Sequence, residues 1–97
     1  MTTQEAIDFI DCVSHDDCYI RLKGKVYLCD GPARYGHDAM FHVFVMEIKP
    51  DTGEGMRDML SYASDSRDDC MKHFIEDKCW DGKSFWEVAP DMEWIDL

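Results

Sequence analysis

The sequence is poor in basic residues, in proline and in long apolar segments. Its 97 residues contain 10 Lys and Arg against 21 Asp and Glu, so the formal net charge is −11. A field of this sign repels nucleic acids and anionic membranes and attracts basic surfaces. The sequence therefore excludes direct binding to nucleic acid or to a membrane, and it favours a basic protein as the partner.

The sequence also lacks the segments that direct a chain into or across a membrane. No apolar run approaches the ~20 residues that a helix needs to cross a bilayer. The opening MTTQEAIDF has neither the basic nor the apolar region of a secretory signal. The five cysteines, an odd number, are then expected to be free thiols in a reducing cytoplasm.

What the sequence does contain is enough apolar material for one folded domain over residues 1–97. Hydrophobic residues make up 45% of the chain and aromatic residues 12%, which is typical of a globular core. Thr2 and Glu5 have the spacing of a capping box, and apolar residues at i, i+3, i+4 and i+7 follow them. This pattern predicts a first helix over about residues 3–14.

The rest of the chain predicts three strands, then helix, then two strands. YIRLKGKVYLC indicates a hairpin around Lys23-Gly24-Lys25, DGPARYGHD a long turn, and residues 39–49 an interior strand. Helical spacing returns over 56–78, as one helix or two, and SFWEV and MEWIDL are typical of two short final strands. The order α-β-β-β-α-α-β-β predicts an α+β domain, a small antiparallel sheet with helices packed on one side.

The segment SDSRDDCMKHFIED, residues 64–77, carries five carboxylates against two basic side chains. On a helix over 56–78, one face would carry four acids at spacings of +7, +4 and +7, namely Asp58, Asp65, Asp69 and Glu76. Side chains three or four residues apart on a helix are ~5–6 Å from each other. That is comparable with the spacing of phosphates along a nucleic-acid strand, although a solvated helix face is the ordinary interpretation. The predicted partner-binding residues are Asp58, Asp65, Asp68, Asp69 and Glu76, with Glu54 and Asp77 at the periphery.

A metal site and a catalytic pair are alternative interpretations. The residues of the possible metal site are Cys12, His15, Cys18, Cys29, His37 and His42. The spacing from Cys12 to Cys18 differs from that of a structural zinc knuckle. Cys70 and His73 are three residues apart on the predicted helix, but the carboxylates around them would keep the thiol protonated. We therefore predict no cofactor, no metal ligand and no catalytic residue.

The C-terminal part of the chain is rich in aromatic residues, namely Trp80, Phe85, Trp86 and Trp94. Large aromatic side chains are enriched at interface hot spots, but in a short chain most of them belong to the core. If exposed, they favour a second hypothesis, an acidic immunity or antitoxin-like protein that neutralises a basic partner by shape as well as by charge.

The overall length, the strong acidity, the absence of a catalytic signature and the opening segment MTTQEAIDFIDCV together carry a family resemblance. In these features the chain resembles the small anti-CRISPR proteins of phages and mobile elements, in particular inhibitors of type I-F surveillance complexes. This group has no common fold and no signature residues, so the resemblance assigns no individual site residue.

The resemblance implies a non-enzymatic inhibitor in the cytoplasm of a bacterial host cell. Several acidic members of the group are similar to double-stranded DNA in charge layout. They occupy the DNA-entry groove on the large Cas subunit, where lysines normally grip the duplex. We expect the present chain to act as a monomer in this way. Arg57, Arg67, Lys72 and Lys78 interrupt the predicted acidic face and so predict a smaller patch.

Overall fold

The first element is helix α1, Thr3–Val13, and its start is set by the capping box that the sequence predicts. Thr2 Oγ1 accepts a hydrogen bond from the Glu5 amide at 3.1 Å, and the Glu5 carboxylate accepts one from the Thr2 amide at 3.0 Å. The structure is a computed structural model that describes residues 1–35, 37 and 39–97. Helix α1 buries Ala6, Phe9 and Val13 against the sheet.

The predicted α+β fold class is confirmed: a five-stranded antiparallel sheet carries the helices on one face. Its strand order is β4-β3-β2-β1-β5. The strands are β1 (Asp17–Leu22), β2 (Lys25–Ala33), β3 (Phe41–Ile48), β4 (Gly55–Ser64) and β5 (Glu93–Ile95). The remaining helices are α2 (Arg67–Glu76) and α3 (Phe85–Val88), followed by a 3-10 turn over Ala89–Asp91.

The core lies between the sheet and the helices. Phe9 of α1, Phe74 of α2 and Phe85 of α3 are fully buried. The Phe85 ring centroid lies 5.9 Å from that of Phe9 and 5.5 Å from that of Phe74. Val43 and Val45 of β3 form the sheet side of this core. As predicted for residues 39–49, β3 is an interior strand.

The helix predicted over 56–78 is wrong in its first half, because residues 55–64 form the edge strand β4. Met56, Met59, Leu60 and Ala63 have helical spacing, but two irregularities interrupt the β3–β4 ladder. Each β-bulge adds a residue to one strand and shifts the alternation of its side chains. Met56 and Ala63 are exposed on this edge strand, so the helical spacing of the apolar residues does not correspond to a buried face.

Two further predictions need correction in detail. The predicted strand SFWEV is helix α3, in which the Glu87 carboxylate accepts a hydrogen bond from the Ser84 amide at 3.0 Å. The predicted long turn over 30–38 begins later, because β2 continues to Ala33. Gly36 and Asp38 of that turn lie outside the described residues. Aromatic content favoured a strand at 84–88, while the Ser-x-x-Glu capping spacing indicated a helix.

Candidate partner-binding surface

One end of the sheet gathers the start of β1, the end of β2 and the N-terminus of α2. Asp17 and Asp30 are directly opposite each other in the β1–β2 ladder. The Arg67 guanidinium, in the first turn of α2, donates hydrogen bonds to the carbonyl oxygens of Ser14 at 2.8 Å and Pro32 at 3.2 Å. We call the carboxylates at this end of the sheet the acidic end: Asp16, Asp17, Asp30, Asp65, Asp68 and Asp69, of which Asp17 and Asp30 are on the sheet face away from the helices and the last three are beside the start of α2.

The two basic side chains at the acidic end are used in packing. The guanidinium carbons of Arg34 and Arg67 lie 4.2 and 5.0 Å from the centroid of the Phe41 ring. Neither arginine forms an ion pair within 4.0 Å with any residue that the structure describes. Arg67 also donates to the two backbone carbonyls. The negative charge of the acidic end is therefore left largely uncompensated.

Asp17 and Asp30 form a pair of interacting carboxyl groups. A hydrogen bond with Asp30, followed by partial burial and by repulsion from neighbouring carboxylates, raises the pKa of Asp17 to about 6. Tyr35 donates its hydroxyl to Asp30 Oδ2 at 2.8 Å. Burial, together with this hydrogen bond, raises the pKa of Tyr35 to about 12. The Asp17 carboxyl group therefore keeps its proton up to about pH 6.

The N-terminus of α2 fixes the position of the remaining acids. Ser66 is the N-cap, and its Oγ accepts a hydrogen bond from the Asp69 amide at 3.2 Å. Tyr62 of β4 donates its hydroxyl to Asp69 Oδ2 at 2.6 Å, which lowers the pKa of Asp69. Asp69 is therefore half-buried and held in place, whereas Asp65 and Asp68 project into solvent.

The predicted site residues do not share one helix face. Asp65, Asp68 and Asp69 lie together at the acidic end, while Glu76 and Asp77 lie at the other end of α2. The Asp77 carboxylate contacts His73 Nδ1 at 3.0 Å.

Two predicted residues lie away from α2 altogether. Asp58 is on β4 opposite Met46, and Glu54, in the β3–β4 turn, is paired with Lys49 at 3.4 Å. The prediction of a single helical face that included Asp58 is therefore wrong, because residues 55–64 form β4 and α2 begins only at Arg67.

The residues predicted from the sequence did not include Asp16, Asp17 and Asp30 of this surface. The signal was in the hairpin: a two-residue turn at Lys23-Gly24 places residues whose numbers sum to 47 opposite each other. Asp17 and Asp30 form such a pair. A prediction that used the register of the hairpin would have placed them together.

The possible metal site is not formed by the described residues, among which no group of three potential ligands lies close enough to hold an ion. Cys12 Sγ and Cys18 Sγ lie 3.1 Å apart, and the five cysteines are free. Burial raises the pKa of Cys29 well above its usual value.

The possible thiol–imidazole pair is also not formed. The Cys70 thiol is buried and donates to the Phe41 carbonyl at 3.4 Å, and burial raises its pKa. His73 instead stacks on the Tyr62 ring, with centroids 3.7 Å apart. A raised thiol pKa and an imidazole engaged elsewhere do not make an activated nucleophile.

The aromatic residues divide into core and surface. Trp80 and Phe85 are buried, whereas Trp86 is 42% exposed and Trp94 is 37% exposed. Trp94 packs edge-on against Phe9, with ring centroids 5.2 Å apart. Trp86 is thus the more accessible of the predicted interface anchors.

Comparison of the chain with protein-family models, with curated proteins and with solved structures gave no match. None of the helices in the described parts of the chain combines the length and the apolar character required to span a bilayer.

Proposed function

We propose that this protein is a non-enzymatic inhibitor that inserts its acidic end into the basic nucleic-acid-binding groove of a partner protein. The carboxylates occupy positions that phosphates of duplex DNA would otherwise take, and inhibition is competition for the groove. The observation that carries the proposal is the gathering of six carboxylates at one end of the sheet, where both arginines are used in packing. Such a surface attracts basic grooves and speeds encounter with them.

The rigid placement of these carboxylates supports mimicry, in addition to their charge. Asp17 and Asp30 are on paired strands. The Asp69 carboxylate accepts a hydrogen bond from the Tyr62 hydroxyl, and the Asp69 amide donates one to the Ser66 hydroxyl. Carboxylates held on regular elements lose little conformational entropy on binding, so more of the electrostatic energy is available for affinity. The partner that we propose is the large Cas subunit of a type I-F surveillance complex, in keeping with the resemblance of the sequence.

The test is competition between this protein and labelled duplex DNA for the purified surveillance complex. The variant Asp65→Lys, Asp68→Lys reverses two exposed charges of the acidic end. We expect its inhibition constant to rise about 100-fold, because close charge pairs in interfaces contribute ~1.5–7 kcal/mol. Inhibition by the unaltered protein should also weaken steeply as salt is raised.

The matched control is Glu54→Lys, Asp58→Lys, which changes the net charge by the same amount at sites away from the acidic end. We expect this control to inhibit within about threefold of the unaltered protein, since distant rim charges contribute little. Equal losses in both variants would mean that only net charge matters. No loss in either would contradict mimicry. Circular dichroism checks that every variant is folded.

The exposure of Trp86 favours one alternative, an immunity or antitoxin-like protein that neutralises a basic partner through an aromatic anchor. Trp86→Ala in the same assay separates the two functions. Under the proposal this variant inhibits normally, whereas a loss larger than that of the double lysine variant would favour the alternative.

A further inference from the structure

A small pocket at the opposite end of the molecule carries the reverse charge. It has a volume of about 230 Å³ and lies between the β1–β2 turn and the turn that precedes α3. Its floor consists of buried apolar and aromatic side chains, namely Leu22, Tyr27, Trp80 and Val88. Its rim carries three lysines and one carboxylate, namely Lys23, Lys25, Lys83 and Asp81. A cationic rim is unexpected in a chain with a net charge of −11.

Two tight turns build this pocket and hold the lysines in place. Lys23 and Gly24 have φ angles of 51° and 76°, and Asp81 and Gly82 have φ angles of 53° and 83°. Positive φ at both central residues defines a type I′ turn, the usual connection of a two-residue hairpin. Trp80 and Lys83 exchange two backbone hydrogen bonds of 3.1 Å across the second turn. The rim is therefore anchored on regular structure.

The ammonium groups of the rim form few ion pairs within the protein, which leaves them available to an anionic ligand. Lys23 and Lys83 form no ion pair within 4.0 Å with any residue in the described parts of the chain. Lys25 Nζ lies 3.9 Å from Glu47 Oε1, and Glu47 is shared with Arg57 at 3.7 Å. A bound anion would thus meet two ammonium groups that form no ion pair within 4.0 Å, with Asp81 as the one carboxylate among the residues that line the pocket.

An independent observation concerns the pocket floor. Trp80 is only 2% exposed, and its indole N–H is buried without a hydrogen-bond acceptor among the described residues. Because this nitrogen has almost no accessible surface, an anion in the pocket reaches the Trp80 ring and not the N–H itself. The indole N–H is therefore a reporter of binding that lies beside the pocket.

We propose that this pocket binds a phosphate group, whose charge the lysines of the rim neutralise above the buried Trp80 ring. Lysine is a common phosphate ligand, and several ammonium groups favour a doubly charged anion over a single carboxylate. The volume of about 230 Å³ is below the ~300–1,000 Å³ of drug-sized sites and suits a small ligand. The phosphate is either free or the end of a mononucleotide.

The test follows the Trp80 indole N–H resonance of ¹⁵N-labelled protein during titration at constant ionic strength and pH 7. Inorganic phosphate, adenosine monophosphate and acetate are added in separate titrations. We expect a saturable shift with phosphate, with a Kd of about 1 mM or below, and at least tenfold weaker binding of acetate. Tighter binding of the mononucleotide would identify a nucleotide as the source of the phosphate, and equal binding would identify the free anion.

Variants decide whether the lysines are responsible. Lys23→Gln, Lys83→Gln should weaken phosphate binding at least tenfold, while the matched control Lys49→Gln, Lys72→Gln should leave it unchanged. The proposal is overturned by a shift that stays linear with phosphate concentration, by equal binding of acetate, or by equal effects of the two variants. The measurement needs no partner protein, so its failure would leave the proposed inhibitory function untouched.

Discussion

At the scale of single residues, the pairing of Asp17 with Asp30 carries an energetic cost above about pH 6. Neighbouring strands hold the two carboxyl groups opposite each other, where one shared proton relieves their repulsion. Because the pKa of Asp17 is raised in the folded protein from 3.8 to about 6, the folded state binds this proton more tightly than the unfolded chain. The stabilising effect of the proton is full below about pH 4 and is lost as the pH rises through 6.

Asp17→Asn should therefore stabilise the protein at neutral pH. We expect the free energy of unfolding at pH 7 to increase by ~0.5–1 kcal/mol, a value reduced for the exposure of the pair. Urea unfolding between pH 4 and pH 7.5 measures the effect, and the gain should vanish near pH 4. Asp96→Asn, which removes an exposed charge near the C-terminus, is the control. An equal gain for both variants, or destabilisation by Asp17→Asn at pH 7, would contradict the pairing.

At the scale of elements, α1 meets β2 at a glycine. Gly31 is on the face of β2 that carries Cys29 and lies under the helices, and it is buried. A Cβ atom at this position would overlap the carbonyl oxygen of Val13, the last residue of α1. The close approach of helix and strand therefore requires a residue without a side chain.

Gly31→Ala should destabilise the protein by about 3 kcal/mol or more, because the obstacle is backbone that cannot move without displacing α1. Urea unfolding monitored by circular dichroism measures the loss. Gly24→Ala is an informative comparison: its φ of 76° strains an alanine, but its surroundings are open. We expect it to cost only ~1–2 kcal/mol. A smaller loss for Gly31→Ala than for Gly24→Ala would show that the contact with α1 is adaptable.

At the scale of the whole molecule, the two ends of the sheet differ in charge balance, because the far end mixes its lysines with carboxylates such as Glu47, Glu54 and Asp81. The acidic end holds six carboxylates, whereas Lys23, Lys25 and Lys83 lie around the pocket at the far end and Lys49 follows β3. A partner with a basic groove is therefore steered toward one end of the protein. The same uncompensated carboxylates repel one another and lower stability when little salt is present.

Sodium chloride should accordingly raise the melting temperature. At pH 7 we expect an increase of a few degrees between about 10 and 500 mM salt, because screening weakens repulsion between exposed charges. Differential scanning calorimetry measures it. In Asp65→Lys, Asp68→Lys the net charge changes from −11 to −7, since each substitution adds two units to the total. This variant should respond less to salt, and a melting temperature that fell with salt would contradict the repulsion.

The prediction from sequence was accurate where short-range signals were strong. Thr2 and Glu5 start α1, Lys23 and Gly24 form the hairpin turn, and residues 39–49 contain β3. The prediction failed for residues 55–64, where β-bulges in the β3–β4 ladder interrupt the alternation of inward and outward side chains that is expected of a strand. Of the acids that were predicted to share one helical face, Asp65, Asp68 and Asp69 lie together at the start of α2, whereas Asp58 is on β4 and Glu54 precedes it.

Composition and residues only a few positions apart were enough to set the net charge, the helix start at Thr2, the hairpin turn and the α+β class. The packing of the whole chain was needed to bring Asp17 and Asp30 to the end of the sheet where α2 begins, and to place Lys23 and Lys83 around one pocket. Both arrangements join residues distant in sequence. They depend on strand order, on bulges and on the docking of α2 through Arg67, none of which is encoded in a local pattern.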